Sequence, residues 1–259
     1  MRQSIKVSHL VVNGCSFTYC QGLENPAEQG WPALFAKKLK VPVVNLAIPG
    51  SGNDGIFRRS YEYFYLNQSH NNHPLFINVW SFSARREEFF IDYNNNRFSD
   101  FVPLDLQGRN PIEKEVVLNL SSETGMYFAE RRKLLYWASV IQLYKNNKVP
   151  YLMSDTFPPK EIYLKRLKEN FPNQVDLVYK DKCKTKDLNE LVISYQYEKL
   201  PCGHYGPKAN IAIAQYLYDT LTNMYDVYIT KCDNYTDLES YYTNSPIHHE
   251  KNEWRTKQK

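Results

Sequence analysis

The chain passes from a run of branched apolar residues, Leu10-Val11-Val12, directly into the turn-forming stretch Asn13-Gly14-Cys15-Ser16-Phe17-Thr18. A short apolar run that ends at a Gly-containing turn predicts a buried β-strand, with Ser16 just beyond its carboxyl end. In open α/β sheets, ligands bind where the loops diverge at the carboxyl ends of the strands. Ser16 is therefore the first candidate for a functional side chain.

Apolar runs and helical periodicities alternate along the rest of the chain. This alternation predicts an α/β protein, namely a three-layer α/β/α sandwich with a mainly parallel, flavodoxin-like sheet. The predicted strands are Leu10–Val12, Val41–Val44, Leu75–Trp80 and Val149–Met153, with weaker candidates at Val116–Leu118 and Val175–Val178. The predicted helices begin near Trp31 and Asn53 and then cover Met126–Lys145, Lys160–Asn170 and Pro207–Tyr225.

The 259 residues of the chain suffice for one sizeable core. We predict one domain over residues 1–225. Within it, residues 92–125 lose their periodicity, are rich in Asn, Asp, Pro and Ser, and predict an irregular insertion that walls the mouth of a site. Residues 226–259 are polar and predict a C-terminal extension.

Composition narrows the class of partner. The chain has 32 basic and 28 acidic residues, a net charge of +4, and no basic stripe interleaved with aromatic residues, which argues against nucleic acid as a partner. The first residues lack the apolar stretch of a signal peptide, and no apolar run approaches the roughly 20 residues that span a bilayer, so we predict a cytoplasmic protein with no membrane partner. Five irregularly spaced cysteines predict free thiols. The abundance of Tyr, Asn and Lys is typical of an AT-rich genome, viral or bacterial.

Two further predicted strands end in polar or Gly-containing loops. Asn45–Asn53 follows the second strand, and Trp80–Ser83 follows the third. Because the carboxyl ends of parallel strands share one edge of the sheet, we expect these loops to meet the loop of Ser16. Late in the chain, His204 precedes the last predicted helix and could return to the same edge. A serine hydroxyl becomes a nucleophile when such a base takes its proton and nearby donors hold the oxyanion.

With these motifs the chain resembles the SGNH/GDSL hydrolase family. The stretch Gly14-Cys15-Ser16-Phe17-Thr18 matches the Gly-Asp-Ser block of the family with Cys15 in place of Asp, and Asn45-Leu46-Ala47-Ile48-Pro49-Gly50 matches its second block. The late Asp-x-x-His block is matched only by His204, because Pro201 stands where the family has its aspartate. The stretch Trp80-Ser81-Phe82-Ser83 lacks the asparagine of the third block. The resemblance covers most of residues 6–225.

The resemblance implies the fold of these hydrolases and a serine-dependent carboxylic-ester hydrolase of the esterase or deacetylase type, without a metal or a cofactor. Ser16 would be the nucleophile and His204 the general base. The backbone N–H groups of Ser16 and Gly50 would face the oxyanion, and Asn53 or Ser81 would replace the missing asparagine donor. The substrate would be a small-molecule or carbohydrate ester, with an acylated carbohydrate as one candidate.

Two sets of residues would support this site. Glu198, Asp155 or a backbone carbonyl would orient His204 in place of the missing aspartate. The candidates for binding the substrate or supporting the site are Trp80, Ser81, Arg85 and Cys202. Among these, Trp80 could stack on a sugar ring, and Arg85 could bind an anionic group of the substrate or brace its own loop.

Other interpretations of the same residues stay open. Ser16 could be a turn serine that bonds its own backbone, and His204 a loop histidine at a helix start. The alternative function is then a catalytically silent relative that binds a glycan or serves as a structural accessory protein. Acyl transfer to another hydroxyl would use the same residues as hydrolysis. A zinc site built from Cys15, Cys20, Cys202 and His204 departs from the usual ligand spacings. The sequence carries no signal for the oligomeric state.

Overall fold

The structure, a computed structural model, describes residues 2–67, 72–85 and 122–230, together with the backbone of four short strands between residues 87 and 103. The strands are β1 (Gln3–Val7), β2 (His9–Asn13), β3 (Val43–Asn45), β4 (Pro74–Trp80), β5 (Glu87–Glu88), β6 (Ile91–Asp92), β7 (Arg97–Phe98), β8 (Val102–Pro103), β9 (Tyr151–Asp155) and β10 (Tyr225–Ile229). The helices are α1 (Ser16–Tyr19), α2 (Pro26–Gln29), α3 (Trp31–Leu39), α4 (Asn53–Leu66), α5 (Glu123–Asn146), α6 (Glu161–Asn170), α7 (Pro172–Tyr179), α8 (Leu188–Ser194) and α9 (Pro207–Met224).

The central sheet is parallel, with its strands in the spatial order β3-β2-β4-β9. Leu10 of β2 lies opposite Val43 of β3 on one side and Leu75 of β4 on the other. Every residue of β2 and of β9 is buried, as expected for strands that helices cover on both faces. The second, first, third and fourth of the predicted strands thus lie side by side, which is the flavodoxin-like order. The predicted fold class is confirmed.

Helices cover the two faces of this sheet. On one side α3 packs against α9, and on the other α4 packs against α5, which also contacts α7. Pro32 occupies the first turn of α3, where the missing N–H costs nothing, and Lys40 ends that helix in the left-handed region with a φ of 57°. The three layers therefore follow from helices with one apolar face each, stacked on strands that are apolar on both faces.

A second parallel pair lies apart from the central sheet. Strand β1 pairs with β10, with Gln3 opposite Tyr225 and Val7 opposite Ile229. Neither strand was predicted from the sequence, and β10 occupies the first residues of the segment predicted as a polar extension. Residues 231–259 lie outside the described residues.

One sequence prediction is wrong in this region of the fold. Val175–Val178 was predicted as a weak strand, but it lies inside α7, which begins at Pro172 and buries Val175 and Val178 one turn apart. The segment from Cys183 to Thr185 lies at the fifth position instead, next to β9. The Met153 amide donates to the Cys183 carbonyl over 2.9 Å, and the Met153 carbonyl accepts from the Thr185 amide over 2.7 Å.

The predictions on the insertion and on membrane spans can be compared with the described residues. The candidate strand Val116–Leu118 lies outside the described residues. Within the predicted insertion and just before it, β5 pairs with β8 and β6 with β7, both antiparallel. Among the described helices, none combines the length and the apolar character that crossing a bilayer requires.

Candidate active site

Ser16 lies at the first position of a four-residue helical turn that follows β2 directly. Its side chain is almost fully buried, with 3% of its surface exposed. The first amides of a helix have no acceptor within the helix, so the Ser16 N–H is not used by the hydrogen bonds of this helix. Gly14 permits the turn, because a Cβ there would lie 2.7 Å from the Cβ of Thr18 and 3.1 Å from the carbonyl oxygen of Val79.

His204 lies in the loop before α9, and its ring packs on the side chain next to Ser16. The ring centroids of Phe17 and His204 are 4.8 Å apart. The loop is closed by a hydrogen bond from the Leu200 amide to the His204 carbonyl over 2.8 Å. The structure therefore brings the two predicted catalytic residues to one region of the molecule. Within the described residues, no hydrogen bond joins the Ser16 hydroxyl to the imidazole.

The imidazole has a cationic rather than an acidic environment. Burial lowers the pKa of His204, and the charges of Arg85 and Lys199 lower it further, while the carbonyl of Cys202 opposes them. Nδ1 is buried and has no partner at hydrogen-bonding geometry among the described residues, so the Cys202 contact falls short of a well-formed bond. The ring is therefore held mainly as the neutral base near neutral pH.

Aromatic side chains from four loops meet beside these residues. Phe17 follows β2, Phe82 follows β4 and Phe157 follows β9. Phe157 makes edge contacts with Phe17 at 5.6 Å and with Phe82 at 5.9 Å, and Phe17 also contacts Tyr205 at 4.8 Å. The sequence analysis did not single out these rings, although Phe17, Phe82 and Phe157 each follow a predicted strand by a few residues, which is the signal that could have found them. We call Phe17, Phe82, Phe157, His204 and Tyr205 the aromatic cluster.

The loop after β3 lies beside the loop of Ser16, as predicted. The Ile48 amide donates to the Gly14 carbonyl over 3.3 Å, and the Ser51 amide donates back to the Ile48 carbonyl over 3.0 Å. Gly50 has a φ of 81°, in the left-handed region where a glycine is needed. The second predicted oxyanion donor thus belongs to a tight turn hydrogen-bonded to the first loop. Whether its amide faces the oxyanion stays a prediction.

Asn53 anchors the third loop. Its Oδ1 accepts from the Ser81 amide over 2.8 Å, and its Nδ2 donates to the carbonyls of Ser81 over 3.2 Å and Phe82 over 3.4 Å. The side-chain amide is engaged by the backbone of this loop, so its evident role is to position the loop. Its predicted role as an oxyanion donor stays untested. Ser81 is itself buried, and its hydroxyl accepts from Arg85 Nη1 over 3.4 Å.

Trp80 and Cys202 were both predicted to bind the substrate or support the site, and they differ in their exposure to solvent. Trp80 is fully buried and stacks on Trp137 at 5.7 Å, so it has no exposed face for a sugar ring, and the prediction of sugar stacking is wrong. It supports the site only from within the core. Cys202 is exposed, and its Sγ lies against Gly22, so it belongs to the contact between the loop of His204 and the segment after α1.

Asp155 does not orient His204, because it is engaged elsewhere. Its Oδ2 pairs with Lys133 Nζ over 2.6 Å, and its Oδ1 accepts from the Phe157 amide over 3.0 Å. Lys133 also donates to the Phe157 carbonyl over 2.8 Å. Both charged side chains are about 99% buried, and burial raises the pKa of Asp155 to about 7, opposed by Lys133. Glu198 is exposed, so of the predicted orienting groups a backbone carbonyl, that of Cys202, is the one that raises the pKa of His204.

No group of three or more His, Cys, Asp or Glu side chains within the described ranges is arranged to hold a metal ion. Cys15 and Cys20 are buried thiols, and Cys20 Sγ donates to Asn210 Oδ1 over 3.2 Å. Burial raises the pKa of Cys20 to about 12, so it remains a thiol rather than a thiolate ligand. The described residues thus contain no arrangement for the zinc alternative.

Comparison with known proteins was made at three levels. No protein-family model and no curated protein matches the chain. Among solved structures, the chain is similar to TesA, with 19% identity, a TM-score of 0.49, and coverage of 84% of this chain and 99% of that one. It is also similar to the psychrotrophic esterase EstA from Pseudoalteromonas sp., with 13% identity, a TM-score of 0.46 and coverage of 83% and 97%. A member of the lipolytic G-D-S-L family from Veillonella parvula matches with 10% identity, a TM-score of 0.45 and coverage of 83% and 99%.

Proposed function

We propose that the chain is a serine-dependent carboxylic-ester hydrolase with Ser16 as nucleophile and His204 as general base. The observation that carries the proposal is the contact between the imidazole and Phe17, the residue next to Ser16, at the carboxyl edge of a parallel sheet. The neutral state of the imidazole supports it, since only the neutral ring can accept a proton. The sequence motifs around Ser16 and Gly50 support the same chemistry.

The reaction follows from these groups in two halves. Ser16 Oγ attacks the ester carbonyl carbon while His204 takes the hydroxyl proton, and the carbonyl oxygen becomes the oxyanion. The amides of Ser16 and Gly50 donate to this oxygen. The intermediate collapses to an acyl-serine as His204 returns the proton to the leaving alcohol. Water then attacks the acyl-serine, again giving its proton to His204, and the acid and the free Ser16 hydroxyl are released.

The aromatic cluster supplies the apolar wall of this site. Phe17 packs on the imidazole and excludes water from that face, and Phe157 and Phe82 extend the apolar wall beyond Phe17. Exclusion of water strengthens the hydrogen bonds to the oxyanion, because the local dielectric falls. It also lowers the tendency of His204 to take a proton from solvent, which keeps the base ready.

The alternative, a catalytically silent binding protein, is favoured by one observation. Ser16 is almost fully buried, and the described residues show no hydrogen bond between its hydroxyl and His204. Under this alternative, the hydroxyl is a turn serine at the start of α1. The two functions differ in whether Ser16 reacts.

The test measures turnover of p-nitrophenyl acetate and butyrate and labelling by a fluorophosphonate. We expect the Ser16→Ala variant to lose at least about 10³-fold in kcat/KM and to lose labelling, because the nucleophile is gone. The matched control is Ser139→Ala, which removes a serine hydroxyl that bonds only its own helix, at the carbonyl of Leu135. Absence of labelling in the unsubstituted protein, or labelling that survives in Ser16→Ala, would establish the alternative.

A further inference from the structure

Arg85 is a partly buried cation, and among the described residues its side chain contributes little to holding its loop. It lies past β4, in the loop that Asn53 already holds by three hydrogen bonds to the backbone of Ser81 and Phe82. The turn is closed by the backbone alone, since the Arg85 amide donates to the Phe82 carbonyl over 3.0 Å. The guanidinium adds one long contact, from Nη1 to the Ser81 hydroxyl over 3.4 Å. Bracing the loop therefore does not explain this side chain.

Within the part of the chain that the structure describes, most donors of the guanidinium have no partner. A guanidinium carries five N–H donors in a planar fork that fits carboxylate and phosphate groups. Arg85 spends one of them on Ser81, and no carboxylate among the described residues pairs with it. A partly buried cation with free donors, at the edge of the sheet where ligands bind, is a site for an anion.

Among the described residues, the mechanism of the proposed hydrolase also lacks an anion beside His204. His204 must become an imidazolium during the reaction, yet the charged side chains that act on it are Arg85 and Lys199, both cations. Asp155, which the sequence offered as an acid to orient His204, is used by Lys133 and the Phe157 amide. An imidazolium that forms beside a guanidinium is destabilised by like-charge repulsion unless a negative group offsets it.

We propose that Arg85 binds an anionic group of the substrate, so that the natural substrate of this site is an ester that carries a carboxylate or a phosphate. This inference rests on the proposed function and names its substrate class. The bound anion pairs with the free donors of Arg85 and offsets the positive charges around His204. The substrate thereby supplies the negative charge that Pro201 leaves missing.

The first experiment measures binding without catalysis. Affinities for malonate, succinate, glutarate and inorganic phosphate are measured by calorimetry in the Ser16→Ala background, with succinamide as the neutral counterpart of succinate. We expect at least one anion to bind at least about 10-fold more tightly than succinamide, and Arg85→Gln to remove most of that difference. The carboxylates and the phosphate are separate arms, so the tighter of them identifies the kind of anion.

The second experiment measures specificity in the active chain. The ratio of kcat/KM for the mono-p-nitrophenyl ester of succinate to that for p-nitrophenyl butyrate should fall about 10-fold in Arg85→Gln and be partly restored in Arg85→Lys. The control Lys165→Gln removes a remote, exposed cation from α6 and should leave the ratio unchanged.

The proposal is overturned if no anion binds more tightly than succinamide, or if Lys165→Gln lowers anion binding as much as Arg85→Gln does. The second result would assign the effect to net charge. If anions bind through Arg85 but no ester is hydrolysed, the hydrolase proposal fails while the anion site stands. If only neutral esters are hydrolysed, the anion site fails while the hydrolase stands.

Discussion

At the scale of single residues, His9 shows how burial changes a side chain outside the site. It lies in β2 with 1% of its surface exposed, hydrogen-bonded through Nδ1 to the Ser8 hydroxyl at 2.9 Å and through Nε2 to the Tyr63 hydroxyl at 2.6 Å. Burial lowers the pKa of His9 to about 4. The sequence analysis did not distinguish this histidine, because a lone His in an apolar strand has no motif.

His9 makes stability depend on pH in a defined window. In the unfolded chain its pKa is near 6.5, so that chain binds a proton between pH 6.5 and pH 4 that the folded protein does not bind. The contribution of His9 is therefore present above pH 6.5 and is lost as pH falls towards 4, by about 2 kcal/mol at pH 5. The measurement is urea unfolding at pH 7.5 and pH 5. In His9→Gln, the loss of stability between these two pH values should be smaller by about 2 kcal/mol.

Substitution of a buried histidine will lower stability at both pH values, so the comparison uses the difference between them. His73→Gln provides the control, since His73 is exposed. An equal pH-dependent loss in His9→Gln and in the unsubstituted protein would contradict the assignment to His9.

The residues that sequence reasoning found at the site are those with a motif. Ser16, Gly50 and His204 were predicted together because each follows or precedes a recognisable element, and the structure places their loops side by side. The role of Asn53 was predicted as a donor to substrate, yet its side chain holds the backbone of the third loop. Which partner an amide selects depends on distances between loops, and a sequence does not contain those distances.

At the scale of elements, the strands next to a clear turn were predicted and the pair β1 and β10 was not. In β1 only Ile5 and Val7 are buried, and in β10 only Tyr225 is buried, so neither strand shows a continuous apolar run. Their partners are also at opposite ends of the described chain. The spacing of apolar residues in a strand indicates which of its own residues are buried. It does not indicate that the strand pairs with one so distant in sequence.

Strand β10 should contribute stability out of proportion to its length. It pairs all five residues of β1, and the Tyr225 hydroxyl lies 3.1 Å from Cys183 Sγ, beside the fifth position of the central sheet. We expect a chain that ends at Met224 to be less stable than one that ends at Thr230 by several kcal/mol, since β1 loses its partner and Ile5 loses cover. The measurement is thermal unfolding of the two chains side by side.

Equal unfolding temperatures for the two chains would show that β1 and β10 contribute nothing to the folded unit. Because both chains lack residues 231–259, the comparison reports on residues 225–230 alone. A third chain that ends at Thr230 with Val227→Asp tests whether the pairing or the mere length of chain matters. We expect it to be destabilised relative to the unsubstituted chain, because Val227 is partly buried opposite Ile5.

At the scale of the whole molecule, a buried ion pair joins a helix layer to the carboxyl edge of the sheet. Lys133 of α5 and Asp155 at the end of β9 pair over 2.6 Å, and both hold the backbone of Phe157. Phe157 belongs to the aromatic cluster and contacts Phe17. The sequence carried a signal for this pair that was not used, since Lys133 falls on the apolar face of α5 together with Leu134 and Trp137.

Removing one charge of this pair should lower the free energy of unfolding more than removing both charges together. We expect Lys133→Met to lower the free energy of unfolding at pH 7 by about 3–5 kcal/mol, because it leaves Asp155 buried without its counter-ion. In the double variant Lys133→Met, Asp155→Asn, the neutral amide can still accept from the Phe157 amide, so at least about 1 kcal/mol should be recovered. Chemical denaturation of the single and double variants measures both values.

The exposed Lys165→Met substitution serves as the control for loss of a lysine, and we expect it to change stability by less than about 0.5 kcal/mol. If the double variant is as unstable as the sum of the two single variants, the charges of Lys133 and Asp155 do not interact. The burial of both side chains would then have to be explained by packing alone.

The architecture as a whole was predictable from the alternation of strands and helices, because covering a parallel sheet on both faces requires it. Val175–Val178 shows the limit of that reasoning. Two valines three positions apart fit a short strand or one face of a helix equally well, and the choice depended on Pro172 at the start of α7 and on the contact with α5.

The pairing of β1 with β10 also constrains when the protein can fold. A ribosome makes β1 long before β10, which emerges only after α9, so the edge of β1 lacks this partner until then. Contacts of such high sequence separation slow the final step, since a long loop must close before they form. The nascent chain therefore carries the unpaired edge of β1 until β10 emerges, and a chaperone that shields this edge would act in that interval.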